Sequence, residues 1–299
     1  MSVEAAGATS VRPRARERAG SGFLSPQTWR ITGWSATLLI VLVFSLVPVL
    51  WIVFLSFKTP ASATDGSFIP HHWTTANYSQ IFNTGIFTSA LRNSIGIGLI
   101  ATALAVILAS GAAYAIARLE FPGKQAILWI ALAVALFPQI SLVGPLYNLW
   151  RQFGLYDTWP GLIIPYMTFA LPLSIWVLSS FFREIPWELE QAAEVDGATP
   201  FQAFTKVIAP LAMPGIVTTF IIVFLICWND FIFAISLTST TAAETVPAAI
   251  AQFPGVSQFT VPIGDIAAAA VVVTIPVMLL VLLFQRRIVA GLTAGAVKG

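Results

Sequence analysis

The sequence predicts an all-α membrane protein with six membrane-spanning helices, and three observations carry that class. Hydrophobic residues make up 57% of the 299 positions and charged residues 9%, with a mean hydropathy of +0.85; soluble domains carry roughly 25% charged residues. Six stretches are apolar over about the 20 residues that a helix needs to cross the hydrocarbon: 31–57, 94–117, 126–149, 162–182, 215–237 and 266–284. The charges other than Asp230 lie outside these stretches, and the basic residues are concentrated on one side. No backbone amide can go unpaired in lipid, so each stretch is expected as a helix.

Residues 1–28 place Arg12, Arg14, Arg16 and Arg18 among Pro, Ser, Gly and Ala, too little apolar surface to fold alone, and are read as a disordered tail. Ala61-Ser62-Ala63 resembles a signal-peptide cleavage site. The apolar run before it exceeds the 7–15 residues typical of a signal core by about twofold, so 31–57 is read as a retained span. The 58–91 loop carries Ile69-Pro70-His71-His72-Trp73 and Asn77-Tyr78, a polar and aromatic stretch suited to a membrane interface. His71 and His72 are the only histidines, and as chain neighbours they cannot form a helical metal pair. The turn 118–124 (RLEFPGK) joins the second and third spans through Pro122-Gly123. No stretch fits G-x-x-x-x-G-K-[ST], so if ATP drives this protein another subunit binds it.

The third span holds Pro138, Gln139, Ser141 and Pro145 and ends at Tyr147-Asn148; the fourth holds Pro165, Tyr166, Thr168 and Pro172. Prolines bend helices and free carbonyls that can line a polar pathway, or serve packing alone. In the fifth span, Trp228-Asn229-Asp230 sets an ionisable residue between apolar sequences, which is costly in lipid and marks a functional hypothesis. Rings stack on sugars and acceptors bond their hydroxyls, so Gln139, Tyr147, Asn148, Tyr166, Trp228, Asn229 and Asp230 are the candidate substrate pathway. The other reading of Asp230 is that it satisfies a broken backbone near the outer edge. Cys227 is the sole cysteine, which excludes an intrachain disulfide and a cysteine metal cluster. The spans hold no histidine, leaving an intramembrane enzyme without a base. One intramembrane acid and no symmetric halves argue against an ion-driven secondary transporter.

Between the fourth and fifth spans runs PWELEQAAEVDGATPFQAFTKVIAPLAMP, residues 186–214, the longest charge-bearing segment between apolar ones. Pro186 suits a first helical position, with Glu188 and Glu190 in the first turn where the helix dipole favours negative charge. Gly197 supplies a stop. Thr199-Pro200-Phe201-Gln202 reads as a capping box, and Phe201, Phe204, Val207 and Ile208 share one helical face. Glu188, Glu190, Glu194 and Asp196 carry the first half without a basic residue, which suits a basic groove on another protein. With the N-terminus inside, twelve Lys and Arg lie on the cytoplasmic side against Lys58, Arg92 and Arg151 outside. This bias follows the positive-inside rule and places both termini and the 186–214 segment in the cytoplasm.

The spacing Gln191-Ala192-Ala193, Gly197 and Val207-Ile208-Ala209-Pro210 resembles the EAA loop of binding-protein-dependent ABC importer permeases. Gln191 stands where that family has Glu, and Ala209 where it has Leu. RLEFPGK, DTWPGL, FFREIPW, DGATP, FQRRIVAGLT and GAVKG narrow the resemblance to carbohydrate importers of the maltose type and, within them, to the second permease of mycobacterial trehalose importers. The resemblance implies a type I ABC importer permease fold: a six-helix permease domain over 29–287, an EAA coupling loop over 184–214 and a cytoplasmic tail over 288–299. It implies four kinds of partner in the cell inner membrane and at its faces: a second homologous permease, two ATP-binding cassette subunits that hold ATP and Mg, an extracytoplasmic sugar-binding protein, and the sugar itself. Glu190, Gln191, Ala192, Ala193, Glu194, Asp196, Gly197 and Pro210 are the implied ATPase-coupling residues. The 238–265 loop is implied to reach into the binding protein, and the C-terminal tail to reach between the ATPase subunits. Maltose-type oligosaccharides and glycerol-phosphate are the alternative substrates; the six spans hold no Arg or Lys that would favour a phosphate.

Overall fold

The structure is a computed structural model that describes the backbone of residues 26–253 and 261–294 and the side chains of 34–253 and 261–284. The readings of the N-terminal arginines, of the C-terminal tail's side chains and of positions 254–260 of the long loop therefore lie outside the described residues. In chain order the helices are α1 (Pro26–Ser56), α2 (Ala76–Asn83), α3 (Ile86–Arg118), α4 (Lys124–Ala135), α5 (Gln139–Phe153) and α6 (Trp159–Glu184). Next come α7 (Glu188–Val195), α8 (Pro200–Ala203), a π-helical turn (Phe204–Ile208), α9 (Ala209–Leu211), α10 (Met213–Trp228), α11 (Ile232–Leu237), α12 (Val246–Ala251) and α13 (Ile263–Ala294). Two compact units divide the chain, Met1–Val49 and Leu50–Gly299. In the first, the described part of α1 is apolar and bare, with Leu38, Ile40 and Phe44 all exposed.

Among the described residues four helices are long and apolar enough to cross a membrane, α1, α3, α6 and α13. The third predicted span is not one helix: α4 and α5 meet at 82° around Leu136–Pro138. Pro138 has no amide proton to continue the ladder, and its carbonyl instead accepts the Ser141 amide at 3.0 Å. The fifth begins within two residues of the expected 215 but is broken inside. α10 turns by 73° from the helical stretch before it, and Asn229–Phe231 interrupt the chain before α11. α13 also runs to Ala294, past the boundary of 288 expected for the tail.

The second unit is organised on α3, whose 33 residues span about 50 Å at 1.5 Å per residue. Ile97, Ala101, Ala105, Ala109 and Ala113 recur every fourth residue along it, all with no exposed surface. A small-residue stripe at that spacing lets two helix backbones approach closely, and α6 is the helix that packs along it. Gly96 fits the same rule, because a Cβ there would run into the Trp159 ring. The prolines of α6 do not break it. Pro165 leaves the Gly161 carbonyl without its helical donor, and the buried Trp150 indole donates to that carbonyl at 2.6 Å. That freed group is satisfied within the chain.

Candidate functional site

The 184–214 segment crosses the end of the bundle where α3 stops at Arg118 and α6 stops at Glu184. α7 begins at Glu188, two residues later than Pro186 suggested, after an extended Ile185 that breaks the path from α6. It ends as the sequence predicts. Gly197 adopts φ +86, its amide and that of Ala198 cap the carbonyls of Glu194 and Ala193 at 3.0 and 2.9 Å, and nothing lies within 4 Å of its Cβ direction. The capping box is present: Thr199 Oγ1 accepts from the Gln202 amide at 3.3 Å, and Gln202 Oε1 accepts from the Thr199 amide at 3.0 Å.

The π-turn changes which residues point inward. Ala203 and Ile208 are fully buried, Phe204 and Val207 partly so, while Phe201 is 73% exposed. The i→i+5 bonding of the π-turn takes more residues per turn than the 3.6 of an α-helix and rotates the register, and the buried face begins at Ala203. Phe204 packs on Tyr114 of α3 with ring centroids 4.7 Å apart and on Phe182 of α6 at 6.1 Å. The outer surface therefore carries Val195 and Phe201 beside exposed Glu188, Gln191, Ala192, Glu194 and Asp196. Pro210 is exposed and Ala193 half-buried.

Glu190 parts company with its neighbours. Its carboxylate is buried, 3.3 Å from Arg118 Nε as an ion pair without hydrogen-bond geometry, and accepts the Tyr114 hydroxyl on its other oxygen. Arg118 Nη2 donates to the Ile185 carbonyl at 2.8 Å, and its guanidinium lies 5.2 Å from the Trp187 ring centroid. Glu190 thus faces the bundle and not the outer surface on which the acidic pattern had placed it. Tyr114 carries no motif signal, and Arg118 opens the RLEFPGK stretch without any mark of a partner in the 184–214 segment.

Of the seven pathway candidates, Tyr166 and Asp230 are hydrogen-bonded to each other. Tyr147, Asn148 and Asn229 are exposed and Gln139 is half-buried, but Tyr166, Trp228 and Asp230 are buried in the chain. Asp230 Oδ2 accepts from the Tyr166 hydroxyl at 3.0 Å and from the Ala234 amide at 3.1 Å. It caps the first turn of α11, the structural role that the sequence left open. Trp228 packs on Phe224, and Asn229 donates back to the Leu225 carbonyl at 2.7 Å.

At the other end of α3, a polar network that includes Asp157 and Trp159 of the DTWPGL stretch holds the start of the long loop. Asn93 Nδ2 donates to the Thr241 and Glu244 carbonyls at 3.0 Å each, while Trp159 Nε1 donates to Asn93 Oδ1 and the Ala242 carbonyl at 3.1 Å. Asp157, at φ +59, receives the Ser239 and Thr240 amides at 3.1 and 3.2 Å. Burial, and then the Asp157 charge, push the Glu244 carboxyl above the ordinary carboxylate value. Among the described residues no group of three His, Cys, Asp or Glu could hold a metal.

Comparison with known proteins agrees with this architecture. The chain is 60% identical over 270 residues to the trehalose transport system permease protein SugB of Mycobacterium tuberculosis, covering 90% of this chain and 98% of that protein. It is 39% identical to the trehalose/maltose transport system permease protein MalG of Thermococcus litoralis, over 86% of this chain and 93% of that one. Its fold matches a chain in the crystal structure of a bacterial ABC transporter involved in the import of the acidic polysaccharide alginate. That match has a TM-score of 0.73 at 22% identity and covers 89% of this chain and 99% of the other. Residues 101–293 match the family described as binding-protein-dependent transport system inner membrane component, and the chain, a transporter permease subunit and not an enzyme, belongs to that family.

Proposed function

We propose that the chain forms one half of the translocation pathway of an ATP-driven, binding-protein-dependent carbohydrate importer whose substrate is trehalose. The observation that carries this reading is the 60% identity to a trehalose permease over nearly its full length. A second permease supplies the other half, two ATPase subunits bind ATP and Mg, and an extracytoplasmic binding protein delivers the sugar. Both termini and the 184–214 segment face the cytoplasm, as the basic bias indicates.

The outer face of that segment meets an ATPase subunit. Val195 and Phe201 supply exposed apolar anchors, and Glu194 and Asp196 supply charge for a basic groove. Gln191 leaves that face one charge poorer than the family pattern. Of the pathway candidates, Tyr147, Asn148, Asn229 and Gln139 are accessible to sugar, while Tyr166 and Asp230 hold α6 to the start of α11 behind them. In the test, the whole complex in lipid is titrated with sugar-loaded binding protein and ATP hydrolysis is read. Stimulation by trehalose is expected. Stimulation by maltose alone removes the substrate, and a complex that holds no ATPase subunit removes the class.

A further inference from the structure

We propose that Glu190 is a positioning residue that clasps α7 to the end of α3 from the inside, so that movement of α7 is transmitted to α3. The inference rests on the permease reading and deepens it. α7 is only eight residues long and joins α6 through a non-helical connection at 185–187. Such a connection bends before it pushes, so the peptide chain alone transmits motion poorly. Arg118 bridges it on both sides. Its Nη2 holds the Ile185 carbonyl before the bend at 2.8 Å, its guanidinium covers Trp187 in the bend, and its Nε faces Glu190 beyond it at 3.3 Å.

Tyr114 completes the clasp. One helical turn before Arg118 on the same helix, it donates its hydroxyl to the carboxylate oxygen that Arg118 does not face. The Tyr114 ring also stacks against Phe204 and Phe182, which joins the clasp to the second half of the segment and to α6. Both charged side chains are 6% exposed. Turning Glu190 outward to a partner would strand a buried guanidinium, so the carboxylate acts through α3 and does not dock. Outer-face and inner-face acids of one short helix then have separate duties: Glu194 and Asp196 engage outward while Glu190 carries the displacement inward.

The test uses the full transporter in liposomes with its binding protein, and reads sugar-stimulated over unstimulated ATP hydrolysis. It also reads the distance distribution between spin labels at Leu108 of α3 and Glu188 of α7, both exposed. Glu190→Gln and Arg118→Gln are each expected to lower the stimulation ratio by about tenfold and to broaden that distance, and the double variant is expected to be no worse than either. Tyr114→Phe, which removes one hydrogen bond, should act in the same direction by about threefold, and it serves if the charged variants fail to assemble. Normal stimulation in these variants, additive losses from Glu190→Gln and Arg118→Gln, or an unchanged distance would overturn the clasp. Failure of the parent complex to respond to any sugar would instead strike the permease reading, and the label distance still reports on the clasp.

Discussion

At the scale of single residues, the role of a buried carboxylate is set by the donors that reach it. Asp230 stands out in the sequence because an acid between apolar runs is costly, yet its carboxylate is consumed by the Ala234 amide and the Tyr166 hydroxyl. Of the two roles open in the sequence, the structure favours the satisfied broken backbone; the Tyr166 partner comes from the fold and no local spacing announces it. Glu244 gives a pH-dependent prediction. Its folded value lies above the ordinary 4.5, so its ionised form is disfavoured in the folded chain. The penalty is absent below the ordinary value, grows as pH rises through the folded one and is complete above it. Glu244→Gln, which keeps an acceptor for Gln252, should therefore raise the Tm of the purified complex at neutral pH, with the gain vanishing towards pH 4.5. Gly197 makes a second case. Its surroundings are open, so substitution is opposed by backbone conformation alone. Gly197→Ala should cost about 1–2 kcal/mol and Gly197→Asn less, a ranking that thermal unfolding and stimulated ATP hydrolysis should both follow.

At the scale of elements, hydropathy located every span but not its breaks. An apolar count is blind to whether Leu136–Pro138 continue a helix, since bent and straight paths bury the same residue types. Small residues at four-residue spacing in α3 account for the close packing of α6. Ala109→Leu should overpack that contact and cost about 1–3 kcal/mol, whereas the neighbouring exposed Leu108→Ala should stay within about 0.5 kcal/mol in thermal unfolding of the chain. In the 184–214 segment, the capping box and the glycine stop were legible because both are local rules. The inward face was misjudged at Phe201 because a period of 3.6 fails across a π-turn. Phe201→Ala should leave the fold of this chain unchanged and weaken ATPase-subunit association by about 2 kcal/mol, measured as the dissociation of those subunits from the detergent-purified complex.

At the scale of the whole molecule, the two ends of α3 are held by different means. One end is fixed by neutral amide and indole hydrogen bonds from Asn93 and Trp159 to the 241–244 loop, the other by the Arg118, Glu190 and Tyr114 clasp under α7. Long sequence separation hid both, since neither pairing follows from local spacing. A helix anchored at both ends can carry a displacement from one face of a membrane to the other, which is what coupling ATP hydrolysis to sugar release requires. The direct measurement is uptake of labelled trehalose into liposomes holding the complete transporter, with ATP enclosed on the side that the 184–214 segment faces. The account predicts uptake that needs both ATP and binding protein and that falls with the stimulation ratio in Glu190→Gln. Uptake driven by an ion gradient without ATP, or accumulation that ignores the binding protein, would contradict it.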